Sequence, residues 1–594
     1  MLLFILACTP KGGPAAGDSA DSAALVETDS DTHGDTGDSQ LPDDSAVDTD
    51  DSSGDDSSGD DSSGRDSSGA DSSGGDSSDT AIDEEGWRSA LYPADWTPGY
   101  AVDGAFLHDF SYAGYHNGED PLPSLTGPVW SVLDYGADPS GDTDSCDAIQ
   151  EAIDQASDAG GGVVYLPAGE YRCEGLLSVE RSGVVVRGDG SGETYLYFTR
   201  ATGMSDVSHL WFEGALAVTD EAALTTDGAA LSANLSVDDA SAFAVGDDVS
   251  VGWVITDDFV EDYGMTGTWT VSNGEWRSFF RRNVVAVDTE SAPNTITVDV
   301  PIRMVARVRD SASVRRETGY ISECGVEGLS VSTVVDWEDA WSNDRSHAIG
   351  FNATKDCYMS DVASYESRNS DDDRGKHLQS GGVIVVTSKR VTIADTTLEQ
   401  AQNRGDGGNG YLYEISRASE ILIRDATGRA GRHNFIQNWD FGTTGCVFLR
   451  TISEDGAAVY DKDTEWLTWL GNSEFHHSIA MANLIDASTT TDGWKGANRR
   501  TESSGAGHSA TEDVFWNTSG TGYITSYQYG LGYVIGTEGV TVLTTVYDVL
   551  DSTGTAPEDY TEGLGEGDEL VPASLYEDQL SRRIARGEAL WEGD

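Results

Sequence analysis

Six of the ten histidines of this 594-residue chain fall in one stretch: His347, His377, His433, His476, His477 and His508. Cationic and amide side chains accompany them, among them Arg374, Lys376, Asn403, Arg404, Arg432, Asn434, Gln437, Asn438 and Lys462. A neutral imidazole can take a proton near pH 7. A guanidinium or amide can hold a carboxylate and stabilise the enediolate formed when the neighbouring proton leaves. Together these are the requirements of β-elimination from a uronate. The pattern predicts His433 as the base, Arg404 and Asn434 on the substrate carboxylate, and His477 or His508 as proton donor to the leaving oxygen. Asn403, His377, Arg432, Gln437 and Asn438 would line the same groove, with Glu474 and His476 extending it. Any single histidine could simply hydrogen-bond a turn; the clustering of six favours chemistry.

Two other functions compete with elimination. A glycoside hydrolase needs paired carboxylates flanking the scissile bond. Asn369-Ser370-Asp371, Asp372-Asp373 and Gly507-His508 weakly resemble polygalacturonase elements. Here the acids are contiguous, whereas those enzymes distribute them over successive coils, and no Arg-Ile-Lys follows. Asp406, Glu414, Asp440 and Glu474 are further candidate acids without a motif to rank them. The third function is a non-catalytic glycan-binding or adhesin body using the same groove without turnover. No CxxC or Cys/His spacing announces a structural zinc, so no metal ligands are assigned. Calcium (Ca2+) stays open, because it could bridge an acidic protein to a polyanion.

Residues so far apart in sequence meet only if the chain stacks on itself. From Gly325 onward, short apolar strands recur around Val326, Cys357, Val391, Ile421, Val447, Ile479, Val514 and Val540, a period of roughly 31 residues that marks a repeat architecture. A side chain one period later then lies one strand spacing away, about 4.8 Å.

The opening of the body carries a second signal. Ile149, Ala152, Ile153 and Ala156 share one helical face, Thr143 or Asp144 can cap its start, and Gly160, Gly161 and Gly162 end it. Short strands follow over Val163–Leu166, Tyr171–Leu177 and Val184–Arg187. Tyr135-Gly136-Ala137, Asp142-Thr143-Asp144, Ala148-Ile149-Gln150, the run from Gly161 to Gly169 (GGVVYLPAG) and Val186-Arg187-Gly188 resemble the opening coils of the pectate-lyase-like superfamily, which includes rhamnogalacturonases and mannuronan epimerases. The resemblance implies an all-β fold, a right-handed parallel β-helix. It also implies a polysaccharide as partner, although fold alone does not transfer a reaction.

The remaining organisation follows from composition. Residues 1–8, MLLFILAC, resemble a bacterial lipoprotein signal with Cys8 as the lipidation site; the run is too short to span a bilayer. Residues 9–86 form an acidic Asp/Ser/Gly linker whose repeats contain one cation, Arg65, and cannot bury enough apolar surface to order. Residues 87–204 hold an N-terminal segment and the first coils. An inserted β-rich module is expected over 205–318, with Trp253, Phe259, Tyr263, Trp269, Trp276, Phe279 and Phe280 suited either to sugar stacking or to a core of their own. The main coils occupy 319–550. A C-terminal tail, 551–594, carries a capping box at Ser574 and helical spacing of Tyr576, Leu580 and Ile584. The net charge of −69 makes nucleic acid an unlikely partner and repels polyanions unless a local basic groove intervenes. Membrane contact is expected only through Cys8, which places the protein at a bacterial envelope, facing outward or into the periplasm, or in the medium. Cys146 and Cys173 could pair in an oxidising compartment; Cys324, Cys357 and Cys446 should pack inside the coils.

Overall fold

The computed structural model describes residues 86–337, 343–369, 375–402, 409–459, 467–544 and 558–591. Cys8, the acidic linker, Asp371 to Asp373, Arg374, Asn403, Arg404, Asp406 and Lys462 lie outside them. The described chain winds as a right-handed parallel β-helix, in agreement with the sequence reading. Its first wall is held by one unbroken interior column: Val164, Val186, Val326, Met359, Ile393, Ile423, Phe448, Ile485, Phe515 and Val534, each paired in register with the next. All ten belong to the main buried core. Parallel pairing stacks like on like, so an apolar residue repeated once per coil loses its water to its own neighbours. The second wall has a matching column through Leu210, Ile349, Val383, Tyr413 and Phe435, then Trp494 and Ile524.

Cys357, Val391 and Ile421 stand in register as the periodicity implies, but later members drift. Val447 pairs with Leu422, and its next partner is Leu484, not Ile479. The turns between strands differ in length from coil to coil, so a constant period loses its place.

The insertion leaves the coil undisturbed, since Val186 and Val326 pair directly across it. Val207–Glu213, assigned from sequence to the inserted module, instead pairs in parallel with Leu177–Val179 and Ser346–Asn352 and is a rung of the second wall. The module proper is antiparallel, runs from Ala217 to Thr318, and is closed at its base by the Ala215 N–H donating to the Gly319 carbonyl at 2.8 Å. Its aromatics are a core and not a sugar platform: Trp253, Phe259, Trp269, Phe279 and Phe280 are buried together, Trp253 stacking on Phe279 at 3.7 Å. That core continues onto the coils through Phe441, Ile479, Met481 and Ala482. Buried ion pairs fix the docking, with Lys355 and Lys389 both 2.8 Å from Asp248, and Arg303 on Glu420.

Helix Cys146–Asp158 covers the open first coil with Ile149, Ala152, Ile153 and Ala156 buried, and Asp144 accepts from the Cys146 N–H at 3.1 Å. Cys146 and Cys173 form a disulfide, while Cys324, Cys357 and Cys446 are buried free thiols. At the other end, helix Leu575–Ala585 is capped by Ser574, whose hydroxyl accepts from the Glu577 N–H at 3.2 Å. It buries Leu575, Tyr576, Gln579 and Arg583 and leaves Ile584 exposed, so the inward face is rotated from the sequence reading. The segment before the first coil runs back along the solenoid: Trp87 bonds Glu569, Phe110 bonds Gln579, and Tyr115 bonds Thr392. No helix among the described residues is long and apolar enough to cross a membrane.

Phe448 sits in the interior column within 6.0 Å of Phe435 and 5.2 Å of Trp494, ring centre to ring centre. Phe448→Ala is expected to cost about 3–5 kcal/mol by emptying a dry site, measured as a shift of the denaturant midpoint.

Candidate functional site

The strands of the second wall do not alternate strictly at their start. In Tyr411–Ser416, Leu412 and Tyr413 both enter the core, which leaves Tyr411 and Glu414 on the outside. The same step recurs in Ser346–Asn352, where Ala348 and Ile349 point inward and His347 outward. Two outward columns result. One contains His347, Gly381 and then Tyr411 with His433; the other runs Ile384, Glu414, Ile436, Glu474, Lys495. Gly381 is required between them, because a Cβ there would lie 2.3 Å from the His347 ring. Glu414 and Glu474, separated by Ile436, stand two strand spacings apart, about 9.6 Å.

Each carboxylate organises a cluster. Glu414 accepts from Arg345, from His347 Nε2 at 2.9 Å and from Asn438 Nδ2 at 3.0 Å. Glu474 meets His476 Nδ1 at 2.9 Å, Arg499 Nε at 3.2 Å, Lys495 Nζ at 3.4 Å and His433 Nε2 at 3.8 Å. Burial by itself would raise both carboxyls, but Arg345 and His347 at Glu414, and Arg499, Lys495 and His476 at Glu474, outweigh it and hold both well below the usual carboxylate range. Burial pushes the His433 imidazole down to about 4 and lowers His347 and His476 as well, so all three are neutral at pH 7. Burial also raises the Tyr411 phenol; its ring centre is 5.1 Å from that of His433 and 6.1 Å from that of His476. Arg432 bears electrostatically on both Tyr411 and His433. Among the described residues, four half-buried cations, Arg345, Arg432, Lys495 and Arg499, surround the two buried carboxylates, and Arg345 also meets the exposed Asp206 at 2.7 Å.

Of the residues singled out from sequence, His347, Glu414, Arg432, His433, Asn438, Glu474 and His476 come together here. Asn434 does not: it turns inward, donating to Ser453 Oγ, the Glu454 carbonyl and Asp492 while accepting from the Gly431 N–H, and is spent on the coil interior. Gln437 pairs in register with the core residues Ile415 and Phe475, so it too faces away from the groove. His377 occupies the corner between the walls, its Nδ1 3.0 Å from Ser364 Oγ. His477 lies under Trp439 with both nitrogens engaged, by the Ser503 carbonyl at 2.9 Å and Ser478 Oγ at 2.6 Å. His508 packs on Tyr529 at 4.9 Å and against Met265 of the inserted module. The expected single row of histidines thus divides over four places. Asn403 and Arg404 lie outside the described residues. As for the hydrolase candidates, Asp440 pairs with Arg277 at 2.6 Å, and Asn369 accepts from the Val335 N–H at 2.9 Å.

Arg345, Tyr411, Lys495 and Arg499 were not found by sequence reasoning. A usable signal existed for Arg345, since a carboxylate such as Glu414 inside the apolar strand YLYEIS must meet a cation to be buried. The coil from Tyr411 to His433 is shorter than the average period, which put the projected partners out of register.

Residues 129–238 match the family model described as rhamnogalacturonase A/epimerase, pectate lyase-like, so the opening segment is pectate-lyase-like. The chain is similar to Alginate lyase 7 of Azotobacter vinelandii, 49% identical over 74 residues, which are 11% of this chain and 8% of that protein. Mannuronan C5-epimerase AlgE1 of the same organism is 48% identical over 75 residues, 11% of this chain and 5% of that one. The chain thus spans under a tenth of these curated relatives. Among solved structures, the A-module of mannuronan C-5 epimerase AlgE6 from A. vinelandii is 14% identical with a TM-score of 0.31, over 75% of this chain and 99% of that one. The Gp54 tailspike of Acinetobacter baumannii bacteriophage AP22, solved with a capsular saccharide, is 12% identical with a TM-score of 0.43, over 73% and 69%.

Glu414→Ala would leave the Arg345 guanidinium and His347 without their shared acceptor. The loss is expected to be about 3–5 kcal/mol of folding stability, read by chemical denaturation, with Glu414→Gln losing less.

Proposed function

We propose that the protein processes an acidic polysaccharide by β-elimination, binding a uronate over the outer face of the second wall. One observation carries this reading: among the described residues four cations, Arg345, Arg432, Lys495 and Arg499, gather around the buried Glu414 and Glu474, on a chain whose net charge is −69. A local gathering of positive charge inside an acidic body repels anions less than its surroundings do and draws in an anionic substrate group. Lys495, Arg499 and Arg432 would hold the uronate carboxylate. The neutral Nε2 of His433 would remove the adjacent ring proton, the cations would stabilise the enediolate, and the Tyr411 phenol would protonate the departing oxygen. His477 no longer suits that last step, because both of its nitrogens are taken. Hydrolysis finds less support: Glu414 and Glu474 are both held ionised by their partners, and a glycosidase needs one carboxyl protonated. The relatives named above as an alginate lyase and as mannuronan epimerases support an acidic glycan as the substrate class. The same proposal places the body on a bacterial envelope through a lipid at Cys8.

Incubation with uronate-containing glycans should release products with ultraviolet-absorbing unsaturated ends; new reducing ends without that absorbance would mean hydrolysis, and binding without products an adhesin. His433→Ala is expected to lower kcat by about 10²–10⁴. Lys495→Met, at a half-exposed position on the same face, should raise KM more than it lowers kcat.

A further inference from the structure

We infer that His433, Glu474 and His476 form a binding site for a divalent transition ion of the zinc type, and that the ion switches the enzyme off. His433 Nε2, His476 Nδ1 and a Glu474 carboxylate oxygen all lie within 4.8 Å of one another. Zinc bonds of about 2.0–2.2 Å in a tetrahedron put neighbouring ligand atoms about 3.3 Å apart. The observed separations, 3.8 Å for His433 to Glu474 and 2.9 Å for His476 to Glu474, bracket that value, so the carboxylate already stands at about the spacing an ion needs from both imidazoles.

The surroundings prepare the ligands. His433 Nδ1 bonds the Asn472 carbonyl, which can only accept, so Nδ1 carries the proton and Nε2 presents its lone pair towards Glu474. Ligating imidazoles characteristically make this outer hydrogen bond. His476 Nε2 stands 3.5 Å from Ser503 Oγ, which can accept the ring proton when Nδ1 gives its lone pair to an ion. Arg499 and Lys495 pair with Oε1 of Glu474, which leaves Oε2 facing the two imidazoles. Strand pairing adds rigidity: Ile436 opposes Glu474, and the His476 N–H donates to the Gln437 carbonyl at 2.8 Å. Two imidazoles and one carboxylate suit zinc over calcium, which prefers oxygen ligands. Three protein ligands also leave one coordination position exchangeable. Nearby Arg499 and Lys495 oppose a dication, so the ion should bind reversibly and not as a permanent structural element.

The inhibitory half rests on the reading of His433 as the base, because an ion on Nε2 occupies the electron pair that would take the proton. The binding half is independent of that reading and is tested on the full chain with Zn2+ alone, by competition against a chromogenic chelator. One Zn2+ per chain is expected, weakened at least about tenfold in His476→Ala and in Glu474→Gln, with Ca2+ unable to compete. Co2+ in place of Zn2+ should show the visible absorption of a four-coordinate ion, a readout that survives if one variant folds poorly. Zn2+ binding of equal strength in both variants, or displacement by Ca2+, would overturn the site. For inhibition, Zn2+ should suppress formation of unsaturated ends and a chelator restore it; loss of turnover on chelation would overturn the switch. Zn2+ binding in a protein that turns over no uronate would leave the ion site standing and refute the elimination reading instead.

Discussion

Everything in this molecule depends on in-register parallel pairing from one coil to the next. The column from Val164 to Val534 shows what that constraint supplies: ten residues from most of the chain become a continuous dry seam, and no coil has a core without its neighbours. The outer face inherits the same regularity. Because Tyr411 opposes His433, and Ile436 opposes both Glu414 and Glu474, the polar groups are placed by backbone hydrogen bonds and do not rely on flexible loops. Placement by strands keeps such groups within fractions of an ångström, which proton transfer requires.

Electrostatics then decides what those groups are. Two carboxylates drawn into a nearly water-free face would protonate if alone; Arg345 and the Arg499–Lys495 pair keep them charged. The imidazoles are governed by the opposite effect. They lose their charge because burial, not a neighbouring anion, dominates. The face therefore carries fixed charges and neutral bases together, a separation that would not persist on an exposed surface where water levels such differences. The inserted module joins the coils from the side, where its aromatic core merges with Phe441 and Met481.

Much of the fold was legible in the sequence, because GGVVYLPAG and the returning Val and Ile anchors express local rules that act within one coil. The disulfide, the helix over the first coil and the serine cap at Ser574 were legible for the same reason. The site was legible only in part. His433 and Glu474 could be named as reactive types, but whether a residue faces in or out depends on the double inward step at the start of each second-wall strand, which turned Asn434 and Gln437 away. Coil length was equally hidden: the short passage from Tyr411 to His433 brings Tyr411 beside an imidazole that a constant period assigns elsewhere. The aromatics of the inserted module could have served either use; their mutual burial depends on antiparallel partners that no periodicity reveals.

The strap that precedes the first coil sets the order in which the chain can finish folding. Its residues Leu91, Tyr92, Trp96 and Phe110 pack on Leu422, Val447, Trp516, Tyr533 and Leu575, positions synthesised hundreds of residues later. Coils can nucleate and propagate from the middle outward as soon as neighbours exist, but the strap has nothing to sit on until the coils and the Leu575–Ala585 helix that it packs against emerge. Its apolar side chains must wait, and contacts of such long sequence separation form slowly. Closure of the strap, down to the Trp87 N–H on the Glu569 carbonyl, therefore ties the two ends of the described body together after its coils have formed.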